Sequence, residues 1–164
     1  MFTFSFPGRL LAAITLLVLS MGITNARMPD EWKNGAYAYS ADNTPLSIIL
    51  EDFATSFGVE INLGTLGDSN VTGKLRAESP EAFLNRLALE YRFQWFVYNN
   101  TLYVSPQAAQ TSQRIEISPE AAPDLKEALR GVGLLEPRFG WGELPDEGVV
   151  LVTGPPEYVR QITE

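Results

Sequence analysis

A chain of 164 residues that is 45% hydrophobic and 11% aromatic has the composition of a globular protein rather than a disordered one. Its 20 acidic residues against 12 basic ones give a net charge of -8, so phosphate backbones and anionic lipid surfaces would repel it, and no nucleic-acid partner is expected. The sequence contains neither His nor Cys. That removes disulfides, a lipid-modified N-terminal Cys, and the commonest catalytic bases, nucleophiles and zinc ligands together.

In chain order, the first feature is a lone basic residue, Arg9, followed by the apolar run Leu10 to Ile23 and by Thr24-Asn25-Ala26. About 14 apolar residues are fewer than the roughly 20 that cross a bilayer as a helix, so the pattern predicts a secretory signal peptide over residues 1–26. No transmembrane helix is expected after it, nor the lipid-facing alternation of an outer-membrane barrel strand, and the chain by itself should be soluble in the periplasm. Without disulfides it must be held together by core packing or by partners.

From Gly35 onward, Tyr37 and Tyr39 alternate with small residues as a strand. Thr44 is the expected N-cap, and Pro45 the first residue, of a helix whose apolar face is Leu46, Ile49, Leu50, Phe53 and Phe57, with Gly58 ending it. Val59, Ile61 and Leu63, then Val71 to Leu75, have strand period. Ser79-Pro80-Glu81 opens a second helix bearing Phe83, Leu84, Leu87, Ala88 and Tyr91. The aromatic strand Phe93 to Tyr98 then turns at Asn99-Asn100 onto Leu102-Tyr103-Val104. Alternation places Trp95 and Val97 on one face of that strand and Phe96 and Tyr98 on the other, so one set is core and the other faces solvent, the linker or a neighbour.

Residues 105–112 lack apolar periodicity and read as a linker. A second unit follows over residues 113–164: a strand at Arg114 to Ile117, a helix at Pro123 to Val132, and strands Phe139 to Leu144 and Val149 to Thr153 joined through Pro145-Asp146-Glu147-Gly148. Pro155 opens a last helix bearing Tyr158, Val159 and Ile162. So short a helix exists only if it docks on the sheet, and a unit below roughly 70 residues needs support from the first unit or from a neighbouring subunit. The fold class is α+β, two small units in series with element orders β-α-β-β-α-β-β and β-α-β-β-α.

Carboxylates are the remaining route to catalysis, but the adjacent Glu51 and Asp52 diverge by about 100° around a helix and do not converge on one substrate. Asp42, Asp68, Asp146 and Glu147 lie in turns without calcium-loop spacing, so no metal or other cofactor is expected. Gly131-Val132-Gly133 and Gly140-Trp141-Gly142 lack the strand-to-helix context of a dinucleotide loop. The chain is expected to be no enzyme; a cell-wall hydrolase would rest on exported location and carboxylates alone.

The ordered set Asp52-Phe53-Ala54, Phe83-Leu84, Trp95-Phe96-Val97-Tyr98, Leu102-Tyr103-Val104, Glu136-Pro137-Arg138-Phe139-Gly140-Trp141 and Gly154-Pro155-Pro156-Glu157-Tyr158-Val159 resembles the N-terminal domains of type III secretion secretins. The resemblance implies an N0-like domain at residues 35–104 and a KH-like, ring-building N1 domain at residues 113–164. It also implies a periplasmic place associated with the outer membrane, a homo-oligomeric ring, and contacts with inner-membrane ring proteins and with a secretin barrel subunit. Arg138, Phe139, Trp141, Pro155 and Tyr158 are the expected ring-interface or packing residues. The chain's end falls in the last helix with no barrel after it, as in the split arrangement resembling nodulation protein NolW or in a fragment of a longer secretin. The alternative is an N0-like signalling module, as in TonB-dependent transducers, against which stands the second unit.

Overall fold

The computed structural model describes residues 28–164, and the expected signal peptide lies outside them. The first unit contains β1 (Tyr37–Pro45), α1 (Leu46–Ser56), β2 (Glu60–Asn62), β3 (Asn70–Ala77), α2 (Pro80–Tyr91), β4 (Phe93–Tyr98) and β5 (Thr101–Pro106). β1 and β3 form a two-stranded antiparallel sheet. A second sheet has the order β2-β5-β4, with β2 parallel and β4 antiparallel to β5. Asn99 and Asn100 both take positive φ, the geometry of the two-residue hairpin expected there.

Both helices lie between the two sheets. Ile49, Leu50 and Phe53 of α1 and Phe83, Leu84 and Leu87 of α2 are buried in one core. Tyr37, Tyr39, Val71 and Leu75 close it from the two-stranded sheet, and Trp95, Val97, Leu102 and Val104 from the three-stranded one. Trp32, which no periodicity marked, sits at the centre of this core on a single 3-10 turn, Asp30–Lys33. Its ring meets Phe53 edge-on at 5.0 Å and Trp95 at 6.2 Å. Burying a side chain of this size contributes several kcal/mol gross, which ties an otherwise irregular segment to the domain.

The start of α1 differs from expectation. β1 runs on through Thr44 and Pro45, and the Thr44 hydroxyl accepts from the Asp42 amide instead of capping the helix. The first amides of α1 are satisfied from a distant loop: Leu46 N donates to Ser69 O at 2.7 Å, and Ser47 N to Asp68 Oδ1 at 3.1 Å. Asp68 also accepts from the Ser47 hydroxyl at 2.6 Å, and these hydrogen bonds hold its carboxyl below the usual carboxylate range. A carboxylate at a helix N-terminus can thus come from 21 residues away. Ser79 does cap α2, accepting from Ala82 N at 3.1 Å.

The second unit contains β6 (Thr111–Glu116), α3 (Ala122–Gly131), β7 (Gly140–Leu144), β8 (Val149–Gly154) and α4 (Pro156–Thr163), with an antiparallel sheet of order β6-β8-β7. The ladders reach into the segment read as a linker: Pro106 still pairs with Phe93, and Thr111 already pairs with Gly154. Only a 3-10 turn, Gln107–Ala109, and Gln110 separate the two strands. Gln94 Nε2 donates to Gln110 Oε1 across this turn at 3.0 Å, so the connection is short and braced.

Candidate functional site: the junction between the two units

β4 is buried on both faces. Trp95 and Val97 belong to the first core, whereas Phe96, from the same strand, belongs to the core of the second unit with Val150, Val152, Tyr158, Val159 and Ile162. Strand alternation separates the two sets, and the face that could have met solvent meets the second unit instead. Phe96 stacks on Tyr103 at 4.8 Å, and its edge contacts reach Tyr158 at 5.6 Å and Phe139 at 6.3 Å. Phe139 and Tyr158 meet each other at 4.7 Å, so four aromatic rings span the junction. Offset and edge-to-face pairs of this kind add about 0.5–1.5 kcal/mol each beyond burial.

Arg138 locks the arrangement. Its guanidinium lies 4.0 Å from the centroid of the Trp95 ring and donates to the Trp95 carbonyl at 2.7 Å. Glu136 holds the same group by an ion pair at 3.0 Å. A planar cation can stack, donate and pair simultaneously, which an ammonium cannot do. The Tyr158 hydroxyl accepts from Glu136 N at 3.2 Å, and burial pushes its pKa up, keeping it neutral in the core.

Gly154 explains why the rings fit. A Cβ there would lie 2.7 Å from Tyr158 Cδ1 and 3.3 Å from Phe139 Cβ, so the close turn from β8 into α4 leaves no room for a side chain. Pro155 is buried beside it and, with Phe96, Tyr103 and Ser105, lines a cleft of about 160 Å³ between the units. On the outer side of α4, Arg160 is clamped by Glu157 and by Glu164 at 2.7 Å. The bond from Arg160 holds the Glu157 carboxyl below the usual range.

Of the five residues singled out in the sequence, the structure brings Arg138, Phe139, Pro155 and Tyr158 to this junction. Trp141 packs against the same second-unit core from β7 but makes no ring contact at the junction: it is half-buried, and its indole donates to Glu143 Oε1 at 2.7 Å, where Lys126 pairs at 3.7 Å. A Cβ at Gly140 would lie 3.0 Å from Thr153 Cβ of the neighbouring strand β8, so this glycine allows a close approach, whereas one at Gly142 would meet Leu151 at an ordinary 3.7 Å. Glu136 and Gly154 were quoted in the motifs without a role. Their signal was present, a Glu two residues before an Arg and a Gly just before a Pro-led helix, but neither pattern names its partner. Among the described residues no three acidic side chains gather in a way that could hold a metal ion. Glu51 and Asp52 are exposed, and Asp52 accepts from the Tyr39 hydroxyl at 2.6 Å, which pushes that tyrosine up to about 12.

Residues 112–164 match the family described as the bacterial type II/III secretion system short domain. Over 160 residues, 93% of this chain, the sequence is 50% identical to the type 3 secretion system secretin of Pseudomonas syringae pv. syringae, covering 22% of that protein. The chain is a relative of the type III secretion secretins. The likeness includes nodulation protein NolW of Rhizobium fredii, 27% identical over 129 residues, 79% of this chain and 55% of that one. In fold, the chain is similar to a structure of the Salmonella SPI-1 injectisome basal body proteins InvG, PrgH and PrgK, with a TM-score of 0.67 at 18% identity over 76% of this chain and 26% of the matched one. It is also similar to a structure of InvGN0N1:SpaPQR:PrgHK, with a TM-score of 0.66 at 17% identity over 79% of this chain and 90% of the matched one. The chain spans about a fifth of the Pseudomonas secretin and about half of NolW. Within this secretin relationship the α+β architecture is that of secretin N-terminal domains, and the aromatic junction joins the short domain to the unit before it.

Proposed function

We propose that the chain is a non-catalytic periplasmic ring component of a type III secretion channel, with residues 35–104 as its N0-like domain and residues 113–164 as its N1-like domain. The observation that carries this reading is the 50% identity to a type 3 secretion system secretin over 93% of the chain. Its work is mechanical. Identical copies stand side by side, and the Arg138 pin and the aromatic rings hold both units of each copy at one angle, so stacked rings keep register. Of the five residues expected at ring contacts or in packing, Trp141 is the one carried by an edge strand, half-buried, and it is the one proposed to touch a neighbouring copy. Arg138, Phe139, Pro155 and Tyr158 act within the copy. Inner-membrane ring proteins and a secretin barrel subunit are the proposed partners. A transducer-type signalling module has no place for residues 112–164, which match the secretin short domain.

The test is recovery from cells making the type III machine. The tagged chain should co-purify with a secretin barrel protein and inner-membrane ring proteins in detergent extracts of the envelope. Recovery only as a free periplasmic monomer would sink the reading. Recovery with a signalling regulator of the inner membrane and no secretion-ring protein would replace it with the transducer alternative.

A further inference from the structure

The two-stranded sheet is the outermost layer of the molecule: α1, α2 and the β2-β5-β4 sheet stand between it and the second unit. On β3, Val71 and Leu75 point into the core, while Thr72, Lys74 and Arg76 point outward and are exposed. Their cross-strand neighbours are small, with Ser40 opposite Lys74 and Ala38 opposite Arg76. Arg86 of α2 reaches the same edge and donates Nη1 to the Arg76 carbonyl at 3.2 Å. Three cations therefore line a flat surface with little side-chain bulk beside them.

These cations differ from those of the second unit. Arg114, Lys126, Arg130, Arg138 and Arg160 each pair with a carboxylate of their own unit. Among the described residues, no ion pair forms at Lys74, Arg76 or Arg86, although the chain carries 20 acidic residues and Glu78 follows just after β3. An exposed ion pair contributes only about 0.2–1 kcal/mol to the fold, so leaving these three unpaired costs the domain little and keeps them available.

We propose that the outer face of the β1–β3 sheet docks an extended acidic segment of another protein. Lys74 and Arg76 are two residues apart on a strand, a repeat of roughly 7 Å, which is also the spacing of carboxylates at alternate positions of an extended chain. Ala38 and Ser40, opposite Arg76 and Lys74, leave room for that chain to lie flat along β1 beside the two cations. A bilayer is the poorer fit: the exposed large apolar side chains, Ile48, Leu89, Val132, Leu144 and Leu151, all lie off this face, and the net charge of -8 opposes an anionic surface. A second copy is also poorer. The acidic turn at Asp146 and Glu147 lies at the end of the β6-β8-β7 sheet away from the junction, so copies joined this way would stack end to end instead of closing side by side. This contact is independent of whether copies form a ring.

The exported chain, labelled with nitrogen-15, is titrated with a synthetic peptide of alternating Glu and Thr. Amide shifts are expected at Ala38, Ser40, Lys74 and Arg76, none in the second unit, and they should fade as salt is raised. Lys74→Glu with Arg76→Glu should weaken binding roughly tenfold, with the Lys74→Gln, Arg76→Gln pair between it and the parent. Both pairs project into solvent, so the rest of the amide spectrum should stay as in the parent and report an intact fold. Equal shifts with a Lys-Thr peptide, undiminished binding by the Lys74→Glu, Arg76→Glu chain, or shifts confined to other surfaces would overturn the proposal. So would movement of the same amides by phosphatidylglycerol vesicles and not by the peptide.

Discussion

The two units fill their cores differently. In the first, every element contributes, from Trp32 on its single turn through α1, α2 and both sheets, and the largest buried rings all come from within the unit. In the second, Phe96, Tyr98 and Tyr103 of the first unit supply part of the packing around Tyr158 and Val152. A segment of this size encloses little apolar surface and is marginal by itself. The outer face of β4 and β5 therefore serves as the missing layer of the second unit. Stability flows in one direction: loss of the first unit removes the platform of the second, whereas loss of the second exposes a few rings of the first.

The largest expected break is Trp32→Ala, which should cost about 4 kcal/mol and lower the urea midpoint of both units together. A transition that stayed normal in the second unit would show that it stands alone. Phe96→Ala should cost about 3 kcal/mol but act locally. Hydrogen exchange should speed up in β6, β7 and β8 while α1 and α2 stay protected; uniform loss of protection would contradict the asymmetry. Next, Gly154→Ala places a Cβ against Tyr158 and should destabilise the second unit by about 2 kcal/mol, read as a lowered melting temperature. Arg138→Lys keeps the charge but loses the planar stack on Trp95, at a cost of about 1 kcal/mol, and should loosen the angle between units as seen by residual dipolar couplings.

The smallest effects are at the extremes of pH, both from exposed hydrogen bonds of the first unit. Asp68 has a depressed pKa in the folded chain, so its contribution is present above the usual aspartate value of about 3.9 and is lost as pH falls through the folded value. Asp68→Asn should flatten that acid limb. Tyr39 is raised to about 12 by its bond to Asp52, so its contribution is complete below about 10 and disappears as pH rises to about 12. Tyr39→Phe should shrink the alkaline limb in a pH-resolved melting series, leaving the part that the buried Tyr158 supplies, and an unchanged limb would assign it wholly to other groups.

Periodicity found the helices because their buried faces repeat every three or four residues, as at Ile49, Leu50 and Phe53 or Phe83, Leu84 and Leu87. It found the β4–β5 hairpin because two asparagines in positive φ leave a local mark. It misplaced the cap of α1, since Thr44-Pro45 satisfies the local rule while the actual acceptors, Asp68 and Ser69, arrive by folding. Trp32 was invisible for a similar reason: one ring on one turn has no period.

The same division holds at the junction. Sequence alone determined that β4 has two unlike faces, that α4 must dock to exist, and that Glu136 to Trp141 and Gly154 to Val159 carry the family likeness, because each is a property of neighbouring residues. Only the tertiary structure decided that Phe96 is the second unit's core residue, that Arg138 stacks on Trp95, that Gly154 makes room for Tyr158, and that Trp141 is not among them. Those are contacts across 43 residues of chain in the case of Arg138 and Trp95, and no local pattern specifies which of several apolar faces will meet.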